Sequence, residues 1–134
     1  TCDNALALAK FLQDNDKVEW VRYAGLPDHP DHALAQRQMG GRASGILSFG
    51  LKTTEADPRA AGARFLDALG LFTRLVNIGD AKSLATHPAS TTHRQLDAAE
   101  LAKAGVSENM VRLSIGIEHI EDLQADLAQA LDKV

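Results

Sequence analysis

The sequence has a single cysteine, Cys2, in 134 residues. An internal disulfide framework is therefore excluded, and a reducing compartment suits the chain. No apolar run approaches the roughly 18 residues needed to cross a bilayer, and no signal-peptide pattern opens the chain. No basic block stands out either: 14 Lys and Arg against 18 Asp and Glu give a net charge of −4. That balance argues against a nucleic-acid or anionic-membrane partner. Also missing are a phosphate-binding glycine loop, a G-x-S-x-G elbow and a C-x-x-C pair. What remains is 45% apolar and 24% charged side chains, the balance of one globular domain, with cytoplasmic placement as the expectation. A chain of this length can remove about two-thirds of its surface from water. It starts at Thr1 rather than Met, which reads as a piece of something larger.

Strands and helices alternate along the whole length. Asp3 or Asn4 is expected to cap a helix carrying Leu6, Leu8, Phe11 and Leu12 and ending near Asp14 and Asn15. Val18 to Tyr23 reads as a strand, residues 25–30 as a proline-broken loop, and Asp31 as the cap of a short helix through Met39. Residues 45–51 form a second strand. Asp57-Pro58 opens a helix that Gly70 ends. Phe72 to Ile78 reads as a third strand, Ser83 to His87 as a short extended piece, and Leu96 to Ala104 as a brief helix. Met110 to Ile117 is the last strand, and His119 to Lys133 the last helix, with Ile120, Leu123, Leu127 and Leu131 on one stripe. Connections this short predict an α+β fold: a mostly antiparallel sheet with helices packed on one face.

Three segments could carry chemistry. In Met110 to Gly116, the two-residue period puts Arg112, Ser114 and Gly116 on one face. An arginine flanked by small residues has room for a planar anion, and a guanidinium matches a carboxylate bidentately. A solvated arginine or a structural ion pair fits the same pattern. Asn77, where a strand runs into Gly79-Asp80, could offer its amide to a ligand or simply close an Asx turn. His87 and His93, six apart with hydroxyls between, match no standard zinc spacing. A loop whose hydroxyls satisfy its own backbone is the simpler reading. Asp28-His29-Pro30-Asp31-His32 is read as loop and cap, not a metal site. Cys2 has no cationic neighbour in sequence and is read as a packing residue.

Leu75-Val76-Asn77-Ile78-Gly79-Asp80-Ala81-Lys82-Ser83-Leu84, then Thr86-His87-Pro88-Ala89-Ser90-Thr91-Thr92-His93, then Val111-Arg112-Leu113-Ser114-Ile115-Gly116-Ile117-Glu118 together resemble a known pattern. With Val21 to Pro27 and His32 to Ala35 upstream, they resemble the C-terminal domain of the cystathionine γ-synthase-like enzymes of cysteine and methionine metabolism, which depend on pyridoxal 5'-phosphate. The resemblance implies that residues 1–134 are the small C-terminal domain of a fold-type I transferase, with the cofactor-binding large domain upstream. It implies that Arg112 and Asn77 bind the substrate, Arg112 holding its α-carboxylate, and that no catalytic, cofactor-binding or metal-binding residue lies in this stretch. The Schiff-base lysine of the family sits in a Ser-x-Thr-Lys-type segment that is absent here, and Lys52 has the wrong surroundings for it. Within the family, Asn77 and Thr91 look most like the branch that makes homocysteine and acetate from O-acetylhomoserine and sulfide. Members acting on cystathionine or methionine usually carry serine and methionine at those positions. The implied partners are a small amino-acid substrate and sulfide, the implied assembly is a homotetramer, and the fragment alone is expected to be inactive. An O-succinylhomoserine sulfhydrylase, a cystathionine γ-synthase, a γ-lyase and a non-catalytic amino-acid-binding or structural module are the other readings.

Overall fold

The computed structural model describes residues 1–54 and 56–134. Among them run α1 (Cys2–Gln13), β1 (Val18–Arg22), α2 (His32–Gln38), β2 (Ile46–Leu51), α3 (Pro58–Ala68), β3 (Thr73–Arg74), β4 (Leu84–Thr86), a 3₁₀ turn (Pro88–Ser90), α4 (Ala98–Lys103), β5 (Met110–Ser114) and α5 (Ile120–Leu131). The strands form one sheet in the order β1-β2-β5-β4-β3. Three of its pairings are antiparallel and only β3 with β4 is parallel. The α+β expectation of a mostly antiparallel sheet therefore holds.

Alternation along the strands decides what each face does. Leu47, Phe49 and Leu51 of β2, Ala85 of β4, and Val111 and Leu113 of β5 all join the main core. They meet Ala5, Leu8, Ala9 and Leu12 from α1, Phe65 and Leu66 from α3, and Leu123, Leu127, Ala130 and Leu131 from α5. Phe49 and Phe65 meet edge-on, 5.6 Å between ring centres at 83°, a geometry that adds about 1 kcal/mol beyond area burial. The intervening residues point to the opposite face. At one end of that face Met110 packs with Ala89, Leu101 and Val106 beneath α4. The middle of it is open and polar at Ser48 and Arg112, both half-buried, while Ser114 and Leu84 beyond them are buried.

Several local expectations change. Thr1, not Asp3 or Asn4, stands at the N-cap of α1. Asn4 instead donates to the carbonyls of Gly116 and Glu118. Asp31 occupies the N-cap position of α2 without a side-chain bond to the helix, and its N–H donates to His29 Nδ1. Asp57 does cap α3, accepting from Arg59 N–H at 3.1 Å. The strand expected over residues 72–78 pairs only at Thr73 and Arg74. Beyond them, Leu75, Val76 and Ile78 are 53%, 51% and 70% exposed, so that apolar run has no core to alternate against in this chain.

What carries the chain from α3 into that short strand is a buried carboxylate. Asp126 of α5 accepts from Gly70 N–H through Oδ1 and from Leu71 and Phe72 N–H through Oδ2, at 2.8, 2.8 and 3.0 Å. Gln129 adds a fourth donor at 3.0 Å. Burial alone would raise the Asp126 pKa, but these hydrogen bonds outweigh it and hold it below the usual carboxylate value. Removing the carboxylate leaves three backbone donors without it, one of them buried. Asp126→Ala should therefore cost about 2 kcal/mol of stability, read as a lower midpoint in urea-induced unfolding.

Candidate functional site

The open face of the sheet is organised by register. Ser48 of β2 pairs with Arg22 of β1 on one side and with Arg112 of β5 on the other, and Thr86 of β4 pairs with Arg112. Paired residues project to the same face, so Arg22, Ser48, Arg112 and Thr86 form one cross-strand row. Arg22 is occupied locally, its guanidinium 4.6 Å above the Trp20 ring. Arg112 is half-buried between two small hydroxyl side chains. Its Nη2 donates to the backbone carbonyl of Asn77 at 3.0 Å. Among the described residues no carboxylate pairs with it. A guanidinium carries five donors, so this one contact leaves most of them uncommitted.

The structure thus brings the two sequence-predicted residues together, but through the Asn77 backbone. The Asn77 side chain serves the turn: its Oδ1 accepts from Ile78 N–H at 2.9 Å and its Nδ2 reaches Asp80 at 3.4 Å. Gly79, at φ +81°, supplies the left-handed step that closes the turn. A cleft of about 200 Å³ runs beside it, lined by Arg74, Leu75, Val76, Thr86 and Thr91 among others. A more spacious one of about 410 Å³ lies at the far side of the open face, between Trp20, Arg22 and Val106 to Glu108. Neither cleft is lined by Arg112 or Asn77.

The segment following Thr86 is fastened by the histidine whose role spacing left open. His87 is fully buried. Its Nε2 donates to the Glu108 carbonyl at 2.7 Å, and its Nδ1 lies 2.8 Å from Ser90 Oγ. Thr91 Oγ1 donates to the His87 carbonyl at 2.8 Å and lies 3.2 Å from Thr86 Oγ1. The hydroxyls therefore satisfy this loop, as the simpler reading held. His93 is apart, with its Nδ1 against Thr92 Oγ1. Among the described residues no three His, Cys, Asp or Glu side chains gather as a metal would require. The ring of His87 packs directly on Gly62 of α3, with no room for a Cβ between them. Arg59, on the same helix, pairs with Glu108 at 3.3 Å and donates to the Leu96 carbonyl at 2.7 Å.

Three contributors were not read from the sequence in the roles they play: His87 as a buried fastener, Asp126, and Glu118, whose carboxylate takes both donors of Ser83. Asp126 was the most findable, since it falls three residues after Leu123 and four before Ala130, on the buried stripe of α5.

The α+β fold is shared with a crystal structure from Campylobacter jejuni described as an O-acetylhomoserine (thiol)-lyase. The match has a TM-score of 0.85 at 41% identity and covers 98% of this chain and 30% of that one. That protein carries N'-pyridoxyl-lysine-5'-monophosphate and is a fold-type I pyridoxal-phosphate enzyme, matched over this stretch alone. The chain belongs to the Cys/Met metabolism PLP-dependent enzyme family, whose profile matches residues 1–132. It is 50% identical over 129 residues to O-acetyl-L-homoserine sulfhydrylase 1 of Thermus thermophilus, covering 96% of this chain and 30% of the relative. It is also 50% identical over 130 residues to an L-methionine gamma-lyase of Pseudomonas deceptionensis, covering 97% and 31%. The chain thus spans about 30% of the length of the relatives it matches. The family's cofactor is pyridoxal phosphate. The residues present do not by themselves form a site for it. Lys10, Lys17, Lys52, Lys82, Lys103 and Lys133 are all exposed, and none borders the two clefts described above.

Burial is the main cause holding the His87 pKa below its ordinary value. The Glu108 carbonyl opposes it, and the Arg59 charge adds to it. A histidine depressed on folding binds fewer protons in the native state, so its contribution to stability is full above the unfolded pKa. Unfolding free energy should therefore fall as pH drops below about 6.5, and His87→Gln should flatten that limb when urea unfolding is repeated between about pH 5 and 8.

Proposed function

We propose that residues 1–134 are the small C-terminal domain of a sulfhydrylase that converts O-acetylhomoserine and sulfide to homocysteine and acetate. One observation carries the reading. Arg112 stands half-buried on an open sheet face, with no acidic partner among the described residues and small hydroxyl neighbours on both adjoining strands. A bare guanidinium held in that way suits an α-carboxylate, which it can meet with two parallel N–H···O bonds. The Asn77 carbonyl supports this by engaging one nitrogen and leaving the remaining donors for the ligand. The small side chains of Ser48 and Thr86 leave space at the guanidinium, and the part proposed for Asn77 itself is to bind the same substrate once its amide, now turned to Asp80, is released.

In the proposed reaction the Cγ–O bond to acetate breaks and a Cγ–S bond to sulfide forms. The electron sink this requires is the family's pyridoxal phosphate, which residues outside 1–134 would hold. The part assigned to this chain is orientation, since fixing the amino acid by its carboxylate restricts how its side chain meets the rest of the site. The exposed Leu75, Val76 and Ile78 agree with a domain reading, because a parent about three times as long has chain with which to cover them. The reading carries with it a cytoplasmic homotetramer, and inactivity of the 134-residue piece alone.

A γ-lyase acting on methionine is the second reading, favoured by the equal identity to the Pseudomonas deceptionensis enzyme. Against it stand Asn77 and Thr91, the residues that resemble the sulfhydrylase branch. The intact parent separates the two when supplied with O-acetylhomoserine plus sulfide, O-succinylhomoserine plus sulfide, or methionine alone. Preferential homocysteine formation from the acetyl ester is expected; turnover of methionine with no replacement activity would overturn the reading. In the same enzyme Arg112→Ala should lower kcat/KM for the amino acid about 100-fold, as loss of a charged bidentate contact does. Steady-state kinetics at saturating sulfide measure it.

A further inference from the structure

The guanidinium of Arg112 is only as well aimed as the carbonyl it leans on, and the turn bearing that carbonyl has little packing of its own. Residues 73 to 79 are exposed throughout. What ties the turn down lies at its far end. Ser83 is fully buried. Its N–H donates to Glu118 Oε2 at 2.7 Å and its Oγ to Glu118 Oε1 at 2.8 Å, while that Oγ accepts from Gly116 N–H at 2.9 Å. Ile117 N–H donates to the Ala81 carbonyl at 3.0 Å. The two backbones approach so closely that a Cβ at Gly116 would run into the Ala81 carbonyl oxygen. From behind, Asn4 Nδ2 donates to the Glu118 carbonyl at 2.7 Å. Toward the front, Asp80 accepts from Lys82 N–H at 2.9 Å and reaches Asn77, completing the link to Arg112.

Within this link Glu118 has an unusual position. Its carboxylate is half-buried and, among the described residues, no cation pairs with it. Its charge is met by the two donors of one serine. Hydrogen bonds to an ionised acceptor are about twice as strong as neutral ones, so this pair of bonds adds a strong anchor at the buried end of a segment whose residues 73–79 are exposed.

We propose that Glu118 is a positioning residue for substrate binding. By gripping Ser83 it holds the turn at residues 77–83 beside β5, and so sets the direction in which Arg112 presents its free donors. This rests on the carboxylate-clamp reading above, and the test keeps the two apart.

The intact, cofactor-loaded parent enzyme is compared with its Glu118→Gln, Ser83→Ala, Arg112→Ala and Glu118→Gln/Arg112→Ala forms. Glu118→Gln should raise KM for the amino acid about tenfold with kcat within about twofold, and Ser83→Ala should shift KM the same way by less. In the Arg112→Ala background Glu118→Gln should add less than about twofold, because both changes act through one guanidinium. Hydrogen–deuterium exchange at residues 77–83 should quicken in Glu118→Gln and Ser83→Ala alike. An unchanged KM in both single variants would overturn the proposal, as would effects of Glu118→Gln and Arg112→Ala that multiply. Should Arg112→Ala itself leave KM unchanged, the clamp reading fails instead.

Discussion

The central strand β5 is the constraint on which the rest of the molecule depends. It is hydrogen-bonded to β2 on one edge and to β4 on the other, so neither its register nor its facing can slip without breaking two ladders. A slip of one residue would turn Val111 and Leu113 out of the core and drive Arg112 into it. Burying an unpaired guanidinium costs several kcal/mol. The hydrophobic core and the orientation of Arg112 are therefore enforced by the same pairing.

Around that strand the molecule uses backbone hydrogen bonding where apolar packing is thin. The helical side is closed by Leu, Ala and Phe side chains from α1, α3 and α5. The connections are held by polar side chains aimed at backbone groups. Asp126 gathers the amides after α3, His87 grips the Glu108 carbonyl, Arg59 the Leu96 carbonyl, and Glu118 the Ser83 amide. Each replaces water as the partner of a peptide group, which a buried peptide group requires. The outcome is a hydrogen-bonded scaffold bearing an exposed turn, and the open face next to that turn holds Arg112.

Legibility in the sequence followed the physics of each signal. Alternation in Met110 to Gly116 revealed both the buried face of β5 and the outward placement of Arg112, because a period of two is a direct consequence of strand geometry. Asp57-Pro58 disclosed the start of α3 for the same kind of local reason. Phe72 to Ile78 misled because β-branched and apolar composition reports a preference for a strand, not the presence of a neighbour to pair with. There the ladder stops at Arg74, and the apolar residues beyond it face solvent in this chain. The roles of Glu118 and His87 depend on partners 35 and 21 residues away, which no local pattern encodes. The motif resemblance compensated for this, since the order of three separated segments carries long-range information that spacing within any one of them lacks. It correctly indicated the family, the fold and the cofactor.

The central claim is that Arg112, steadied by the Asn77 carbonyl, receives the α-carboxylate of an amino-acid substrate. The most direct measurement is a crystal structure of the intact enzyme with an unreactive homoserine-ester analogue bound. The account predicts both carboxylate oxygens at about 2.8 Å from Arg112 guanidinium nitrogens, with the contact to the Asn77 carbonyl retained. A carboxylate bound by other residues, with Arg112 left facing solvent, would contradict it.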